Sequence, residues 1–448
     1  MSAISELSWR RKDGPGLALR GAQVIDPRAG IKGAHDVVIR EGEVVELSAP
    51  GSAEPGELET VDAEGLLALP AFFDPHVHLR APGHEHKEDL ETGTRAAAAG
   101  GFCGILAMPN TDPPIDWAAA VHALRRRSDR EASVPVGYMA SITRGMGGEE
   151  LTEMAELRDA GAVGFTDDGW PLPSARVLRR ALQYQRLVGG VIALHEEDPE
   201  LSRGGVMHEG VVSAAVGLAG IPSVSESTMI ARDAALAAYE EARIHVLHLS
   251  ARESVAAVAR AKEEGVRISA EVTPHHLTLN DEAVRSLDAR FKMNPPLRSE
   301  EDRLAMIEGL RSGVIDCVAT DHAPHALEEK EVPFEEAAMG VTGLETAFAV
   351  LHTDLVLPGV IDLELLVERM TAGAGLYGFD VPTLRPGNEA NVVLVDPEAE
   401  WEAGAEGWES RSENSCFAGR RLRGRVLMTV AAGQVAYRQR SFAMGVAA

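Results

Sequence analysis

The sequence predicts an α/β protein: a (β/α)8 barrel of the TIM type with a small β domain formed from both chain termini. Three observations predict it. About 300 central residues alternate apolar runs with helical segments, the apolar runs number eight, and both chain ends carry short alternating segments. We expect residues 1–68 and 385–448 to form the small domain and residues 69–384 the catalytic barrel.

The elements follow in chain order. "LALRGAQVID" and "HDVVIREGEVVEL" alternate as half-buried strands do, and "ANVVLVDPEAEW" and "RGRVLMTVAAGQVAYR" have the same character near the other end. The eight apolar runs suit parallel strands buried on both faces: "PAFFDPHVHL", "GFCGILAMPN", "VPVGYMASI", "AVGFTDDG", "GVIALHEED", "RIHVLHLS", "VRISAEVTPHH" and "IDCVATDHAPH". Segments such as "ETGTRAAAAG", "LTEMAELRDAG", "SARVLRRALQYQRLV" and "ESVAAVARAKEEG" suit the amphipathic helices between them.

Composition narrows the function classes. The formal charge of −26 argues against nucleic acid or an anionic membrane as the main partner, since either needs a basic surface. The three cysteines are too few and too scattered for a disulfide framework, which favours a reducing cytoplasm. "MSAISELSWRRKDGPG" lacks the apolar core of a signal peptide, and no apolar stretch is long enough to span a bilayer. We therefore expect a cytoplasmic protein.

Polar residues concentrate where the predicted strands end, and barrel enzymes place their chemistry at these carboxyl ends. Imidazoles and carboxylates are the ligands that zinc and similar divalent ions prefer. The residues are His76 and His78 after strand one, Asp167 and Asp168 after strand four, His195 after strand five, His248 after strand six, His275 and His276 after strand seven, and Asp321, His322 and His325 after strand eight. His76, His78 and Arg80 are two residues apart, so in an extended strand they would share one face.

Each of these residues alone has an ordinary interpretation. A single His-X-His is more often structural than a ligand, Asp168 would suit a helix N-cap, and a lone His195 or His248 would suit a hydrogen-bonded core. Unrelated structural roles would not place so many of these residues at the same end of successive strands. Taken together, the residues predict a metal centre.

The chain resembles the amidohydrolase superfamily, and within it the dihydroorotase family. The resemblance is carried by "DPHVHLR", "EDLETGTRAAAAGGF", "MPNTDPPID", "FTDDG", "EVTPHHL", "FKMNPPLR" and "ATDHAPH", from about residue 70 to about residue 345. It implies that His76 and His78 bind one Zn²⁺ with Asp321, that His195 and His248 bind a second, and that Asp168 bridges the two. It also implies Asp321 as catalytic acid/base and substrate contacts from His78, Arg80, Asn110, Asn294, His325, Met339 and Gly340.

The family catalyses the reversible cyclisation of N-carbamoyl-L-aspartate to L-dihydroorotate and water, a step of pyrimidine synthesis, through a hydroxide activated by the metals. Both compounds carry a carboxylate, and the planar fork of Arg80 suits such a group. The resemblance further implies a homodimer or an association with aspartate transcarbamoylase.

Many amidohydrolases bridge their metals with a carboxylated lysine on strand four, but this chain has no lysine between Lys87 and Lys262. A carboxylate must replace it; alignment with the motif selects Asp168, with Asp167 as the alternative. The sequence also departs from the family pattern, with Ala81 in place of a glutamate, Met339 in place of a phenylalanine, and "ALHEED" in place of a cysteine-containing segment.

Two other functions remain to be weighed. A hydantoinase or allantoinase would share the barrel, but the missing lysine, Arg80 and "FKMNPPLR" argue against it. An inactive subunit that only scaffolds aspartate transcarbamoylase would be expected to have lost ligands, and all six are present. We expect His35, His84, His86 and His208 to be solvent-exposed and "EEKEVPFEE" to be a solvated loop, while His275 and His276 could either orient the centre or only pack.

Overall fold

The strands that precede the barrel belong to a separate sheet. The computed structural model describes residues 2–11, 16–54 and 56–443. The first strands are Leu17–Asp26 (β1), Ile31–Arg40 (β2), Glu43–Ser48 (β3), Glu59–Asp62 (β4) and Leu67–Pro70 (β5). β1 and β2 pair antiparallel, whereas β4 and β5 run parallel to β1.

Eight parallel strands then form the barrel, as predicted. They are Phe72–Val77 (β6), Phe102–Ala107 (β7), Val136–Ala140 (β8), Gly164–Phe165 (β9), Val191–Leu194 (β10), Arg243–Val246 (β13), Arg267–Val272 (β14) and Cys317–Val318 (β15). The spatial order follows the chain from β6 to β15. A two-stranded sheet of Met207–His208 (β11) and Gly220–Ile221 (β12) lies between the fifth and sixth barrel strands.

The barrel closes between its first and last strands. A parallel bridge joins Val77 to His322, which follows β15. The buried carboxylate of Asp74 accepts a hydrogen bond from the Thr320 backbone N–H at 3.2 Å and another from the His76 backbone N–H at 3.1 Å. The same carboxylate therefore ties the closing strand to the strand that carries the first histidines.

Helices follow the strands in turn, so that β and α segments alternate. Asp89 begins α1 by accepting a hydrogen bond from the Thr92 N–H, the reciprocal arrangement of a capping box. The α-helices are Leu90–Ala99 (α1), Ala118–Glu131 (α2), Met154–Asp159 (α3), Ala175–Val188 (α4), Val211–Val216 (α5), Val224–Glu240 (α6), Arg252–Glu263 (α7), Pro274–Thr278 (α8), Glu300–Ser312 (α9), Leu327–Lys330 (α10), Ala347–Leu351 (α11), Leu363–Thr371 (α12), Gly373–Leu376 (α13) and Arg440–Ala443 (α14).

Strands from both chain ends form one sheet. The last strands are Val392–Glu402 (β16), Arg421–Ala431 (β17) and Gln434–Arg438 (β18). β16 pairs antiparallel with β5, and the sheet order is β18-β17-β16-β5-β1-β2-β3, with β4 on β1. The predicted fold class is confirmed. Within the described residues, no helix combines the length and the apolar character that crossing a membrane requires.

Candidate metal centre and active site

The six predicted ligands converge at the carboxyl end of the barrel and are all buried. Each follows or ends a strand: His76 lies within β6, His195 directly follows β10, and Asp321 comes three residues after β15. Parallel strands bring these ends together at one rim.

The first group consists of His76, His78 and Asp321. Asp321 Oδ1 lies 3.0 Å from His78 Nε2 and 3.4 Å from His76 Nε2. These three ligand atoms lie within 4.8 Å of one another, close enough to share one cation.

The second group consists of His195 and His248, with Asp168 between the two groups. His195 Nδ1 lies 3.0 Å from His248 Nε2, and Asp168 Oδ1 lies 3.7 Å and 3.5 Å from these two nitrogens. The other oxygen, Asp168 Oδ2, lies 3.4 Å from both His76 Nε2 and His78 Nε2. Asp168 thus directs one carboxylate oxygen to each group, as a bridging ligand would.

Asp167 has a different environment. Its carboxylate accepts hydrogen bonds from the backbone N–H groups of Ile142 and Thr143, at 2.8 and 3.1 Å, and from the Thr143 hydroxyl. The N-cap of α4 is Ser174, so neither aspartate caps that helix. The geometry favours Asp168 over Asp167 as the bridge.

The charges of this cluster favour a cation. Burial disfavours the charged form of Asp168, but His76 and the other imidazoles hold the pKa of its carboxyl well below the usual range. Burial likewise disfavours a charged His76, but Asp168, Glu271 and Asp321 raise its pKa well above the ordinary value. Two buried atoms, His76 Nε2 and Asp168 Oδ1, have no hydrogen-bond partner among the described residues. The donor set therefore fits divalent metal ions, which would satisfy both atoms.

Three neighbours hold the imidazoles from outside. Asn110 Oδ1 lies 2.8 Å from His78 Nδ1, and Glu271 Oε1 lies 2.6 Å from His76 Nδ1. Glu197 Oε2 lies 3.5 Å from His195 Nε2 and accepts a hydrogen bond from the Asn294 amide at 2.7 Å.

The two asparagines were predicted as substrate contacts, and here both touch residues around the centre. Sequence reasoning missed Glu197 and Glu271. A glutamate within the apolar run "RISAEV" is the one signal that could have revealed Glu271.

The backbone leaves regular geometry at three of these residues. Arg80, His248 and Asp321 have positive φ values of 56°, 28° and 48°. Such conformations cost about 1–3 kcal/mol each and concentrate at functional sites. Because β6 ends at Val77 and the chain turns at Arg80, the expectation that Arg80 continues an extended strand in register with His76 and His78 is wrong.

Arg80 nevertheless lies beside the predicted substrate residues. Its Nε donates to the Pro324 carbonyl at 3.1 Å, and its Nη2 lies 3.4 Å from His325 Nε2. The guanidinium is buried, and among the described residues no carboxylate oxygen lies within 4.0 Å of it. Burial and the charge of Arg80 lower the pKa of His325 to about 3, so this imidazole is neutral near pH 7.

Met339 contacts His325, and Gly340 lies beside it. The Met339 carbonyl lies 2.9 Å from His325 Nε2. Because this contact uses the backbone, it does not depend on whether the side chain is methionine or the phenylalanine of the family pattern. Gly340 has a φ of 137°, and a Cβ there would lie 2.8 Å from the Ala323 Cβ and 3.1 Å from the His325 ring. Only glycine fits this close approach.

Two residues outside the predicted set hold this loop. Lys330 donates to the carbonyls of Lys292, Ala338 and Gly340, and it is buried. The expectation that "EEKEVPFEE" is a solvated loop holds only in part: most of its residues are exposed, but its first three belong to α10, and the buried Lys330 anchors it. From the C-terminal part of the chain, Asn414 accepts from the His325 N–H at 3.1 Å and donates to the Gly340 carbonyl at 3.1 Å.

The remaining histidines differ in their hydrogen bonds and in their exposure to solvent. His276 lies 2.8 Å from Thr273 Oγ1 and 3.1 Å from the Pro295 carbonyl, which fixes the segment after Asn294. His275 is buried, with no hydrogen-bond partner for its Nε2 among the described residues. His208 was expected to be exposed and is instead buried, with its Nδ1 3.3 Å from Arg298 Nη1. His86 is exposed, whereas His35 and His84 are half-buried.

A closed parallel barrel with imidazoles and aspartates at its carboxyl rim is the architecture of an amidohydrolase. Solved structures with this fold include the L-hydantoinase (dihydropyrimidinase) of Arthrobacter aurescens, with a TM-score of 0.84, 25% identity, and coverage of 94% of this chain and 96% of that chain. The dihydropyrimidinase of Brevibacillus agri aligns with a TM-score of 0.81 and 23% identity over 94% of this chain and 95% of that chain.

Sequence comparison selects one family within this class. The family model for dihydro-orotase-like proteins matches residues 65–254. The chain is 43% identical to the dihydroorotase of Geobacter metallireducens over 94% of this chain and 100% of that protein. It is 45% identical to the dihydroorotase of Geobacter sp. strain M21 over 94% and 99% of the two chains. The chain belongs to the dihydroorotase family.

Substitution of the two neighbouring aspartates tests which of them bridges the groups. Loss of a residue that hydrogen-bonds to a metal ligand usually lowers metal affinity by about 10–100-fold. Asp168→Asn should lower it further, because it removes an anionic ligand. Asp167→Asn keeps an acceptor for Ile142 and Thr143 and should retain the metal. Metal content by mass spectrometry, with affinity from chelator competition, measures both. Equal losses in the two variants would contradict the assignment.

Proposed function

We propose that this chain is a dihydroorotase that interconverts N-carbamoyl-L-aspartate with L-dihydroorotate and water. Its similarity to curated dihydroorotases over nearly their whole length supports this. The observation that carries the proposal is Arg80, a buried guanidinium without a carboxylate partner among the described residues, beside a six-residue metal-ligand set. A buried charge is costly unless it is paired, so the site is built to receive an anion.

The metal ions form part of the proposal. His76, His78 and Asp321 would hold one Zn²⁺, His195 and His248 would hold another, and Asp168 would join them. Bound divalent cations lower the pKa of water and polarise a carbonyl oxygen. A cytoplasmic location, and a homodimer or an association with aspartate transcarbamoylase, complete the proposal and follow from the family resemblance.

The protein's own residues bind the substrate and move the proton. The Arg80 guanidinium pairs with the substrate carboxylate, and His325 borders the same space with a neutral ring. In ring opening, an oxygen–carbon bond forms at the ring amide carbonyl while the carbon–nitrogen bond breaks. Asp321 accepts the proton from the attacking water and passes it to the departing nitrogen; in cyclisation it protonates the departing hydroxyl.

A hydantoinase function is the alternative class. Hydantoin and allantoin lack the carboxylate that both dihydroorotase substrates carry, so they would leave the buried charge of Arg80 unpaired. The chain is also closer in sequence to the dihydroorotases, at 43%, than to the hydantoinase of Arthrobacter aurescens, at 25%.

A substrate panel on metal-loaded protein tests the proposal. We expect turnover of dihydroorotate and of carbamoylaspartate, and at most trace hydrolysis of hydantoin or allantoin. Asp321→Asn should lower kcat by about 10²–10⁴-fold, the usual contribution of acid–base catalysis, with little change in secondary structure by circular dichroism. Faster hydrolysis of hydantoin than of dihydroorotate would reject the proposal, and an active Asp321→Asn variant would reassign the acid/base.

The reaction's own proton balance gives a second test. Ring opening creates a second carboxyl group. This group is ionised throughout the neutral pH range, so each ring opening releases one proton. The end-point ratio of carbamoylaspartate to dihydroorotate should therefore rise about tenfold per pH unit between pH 6 and pH 8. Chromatography of mixtures approached from both directions measures this ratio. A ratio independent of pH would show that another reaction is catalysed.

A further inference from the structure

Beneath the metal centre lies a chain of buried polar contacts that the proposed reaction does not use. It contains Ser269, His245 and Glu271 and ends on the ligand His76. Glu271 Oε2 lies 2.9 Å from His245 Nε2, and His245 Nδ1 lies 2.8 Å from Ser269 Oγ. Glu271 Oε1 lies 2.6 Å from His76 Nδ1. His76, His245 and Glu271 are all fully buried within the barrel.

These contacts constrain where the two imidazoles carry their protons. An ionised carboxylate can only accept, so both imidazoles must donate to Glu271, His245 through Nε2 and His76 through Nδ1. The remaining nitrogen of His245, Nδ1, pairs with the Ser269 hydroxyl. With a metal cation between the ligands, a His76 that keeps its proton on Nδ1 would direct the Nε2 lone pair toward that cation, on the side where Asp168 and Asp321 both lie 3.4 Å from Nε2.

Glu271 also reaches the other group of ligands. Its Oε1 accepts a hydrogen bond from the His248 backbone N–H at 3.3 Å. His248 is one of the residues with a positive φ, at 28°, a conformation that persists only where the surroundings enforce it. The same carboxylate oxygen thus holds a side chain from the first group and the strained backbone of a residue from the second.

A new metal site is a competing explanation, because Cys317 lies beside His245 and Glu271. His245 already uses both ring nitrogens in hydrogen bonds, and burial raises the pKa of the Cys317 thiol well above the usual value, which disfavours the thiolate that a metal needs. A purely structural role is also a poor explanation, since well-packed apolar residues stabilise a core at least as well as a buried ionic network.

We propose that Glu271 is a positioning residue for the metal centre, which fixes the proton of His76 on Nδ1 and holds the backbone of His248 so that ligands of both groups face the same cations. The proposal deepens the proposed function, because it assumes that the residues assigned above bind metal. It assigns Glu271 no contact with the substrate.

The test is Zn²⁺ affinity of the whole chain, measured by competition with a chelator and without substrate. Glu271→Gln keeps the shape and one acceptor but loses the charge, and it should lower Zn²⁺ affinity by about 10–100-fold, the usual effect of an outer carboxylate. The visible spectrum of the Co²⁺-loaded variant should differ from that of the unsubstituted chain, since the ligand geometry changes. Glu240→Gln is the matched control. Glu240 is a buried carboxylate that contacts Arg179 and Gln183 instead of the centre.

The outcomes separate the two proposals. Affinity within twofold of the unsubstituted chain, or a loss no larger than that of Glu240→Gln, would overturn the role of Glu271 whatever the substrate. If Glu271→Gln does not fold, Ser269→Ala removes only the outermost hydrogen bond and should give a smaller loss of Zn²⁺ affinity; an unchanged affinity would overturn the proposal. A chain whose Zn²⁺ affinity depends on Glu271 but that leaves dihydroorotate unchanged would instead refute the proposed function.

Discussion

The structure depends on placing four imidazoles and two aspartates in a space from which water is largely excluded. Such a cluster is unfavourable by itself, because its carboxylates are desolvated and atoms such as His76 Nε2 lack a partner among the described residues. A cation at the centre of the cluster would stabilise the desolvated carboxylates and would give the partnerless atoms a ligand-binding role. The cluster therefore suits a cation, and we propose that Asp168, which directs one oxygen toward each histidine pair, bridges the metal ions without a modified lysine.

The rest of the fold supplies this cluster with fixed positions. Asp74 joins the first and last barrel strands directly beneath the ligands, and Glu271 connects His76 to the backbone of His248. The sheet built from both chain ends is attached through β5, which leads into the first ligand strand. Asn414, from the C-terminal part of the chain, holds the loop around His325 and Gly340. The side of the site that we propose to bind the substrate carboxylate thus depends on residues distant in sequence.

Much of this could be predicted because the candidate metal ligands each lie at the end of a different strand or of the same first strand. His76, His78, Asp168, His195, His248 and Asp321 each sit at the end of an apolar run, which makes both the barrel and the rim visible in the sequence. The supporting contacts could not be predicted, because Glu271 meets His76 across 195 positions of the chain: a glutamate in an apolar run marks Glu271 as unusual but does not identify its partner. The turn at Arg80 and the buried Lys330 were missed for a related reason: tertiary contacts override the strand and loop patterns that their neighbours suggest.

A protein with a net charge of −26 needs local positive charge to attract a substrate that carries a carboxylate, and we propose that the buried guanidinium of Arg80, which has no carboxylate partner among the described residues, supplies it. Binding of the substrate by Arg80 leads to reaction only if metal ions occupy the neighbouring centre. The most direct measurement is therefore the metal content of the purified chain by mass spectrometry, before and after reconstitution with Zn²⁺. The account predicts up to two divalent ions per chain; folded protein that contains none and takes up none would contradict it.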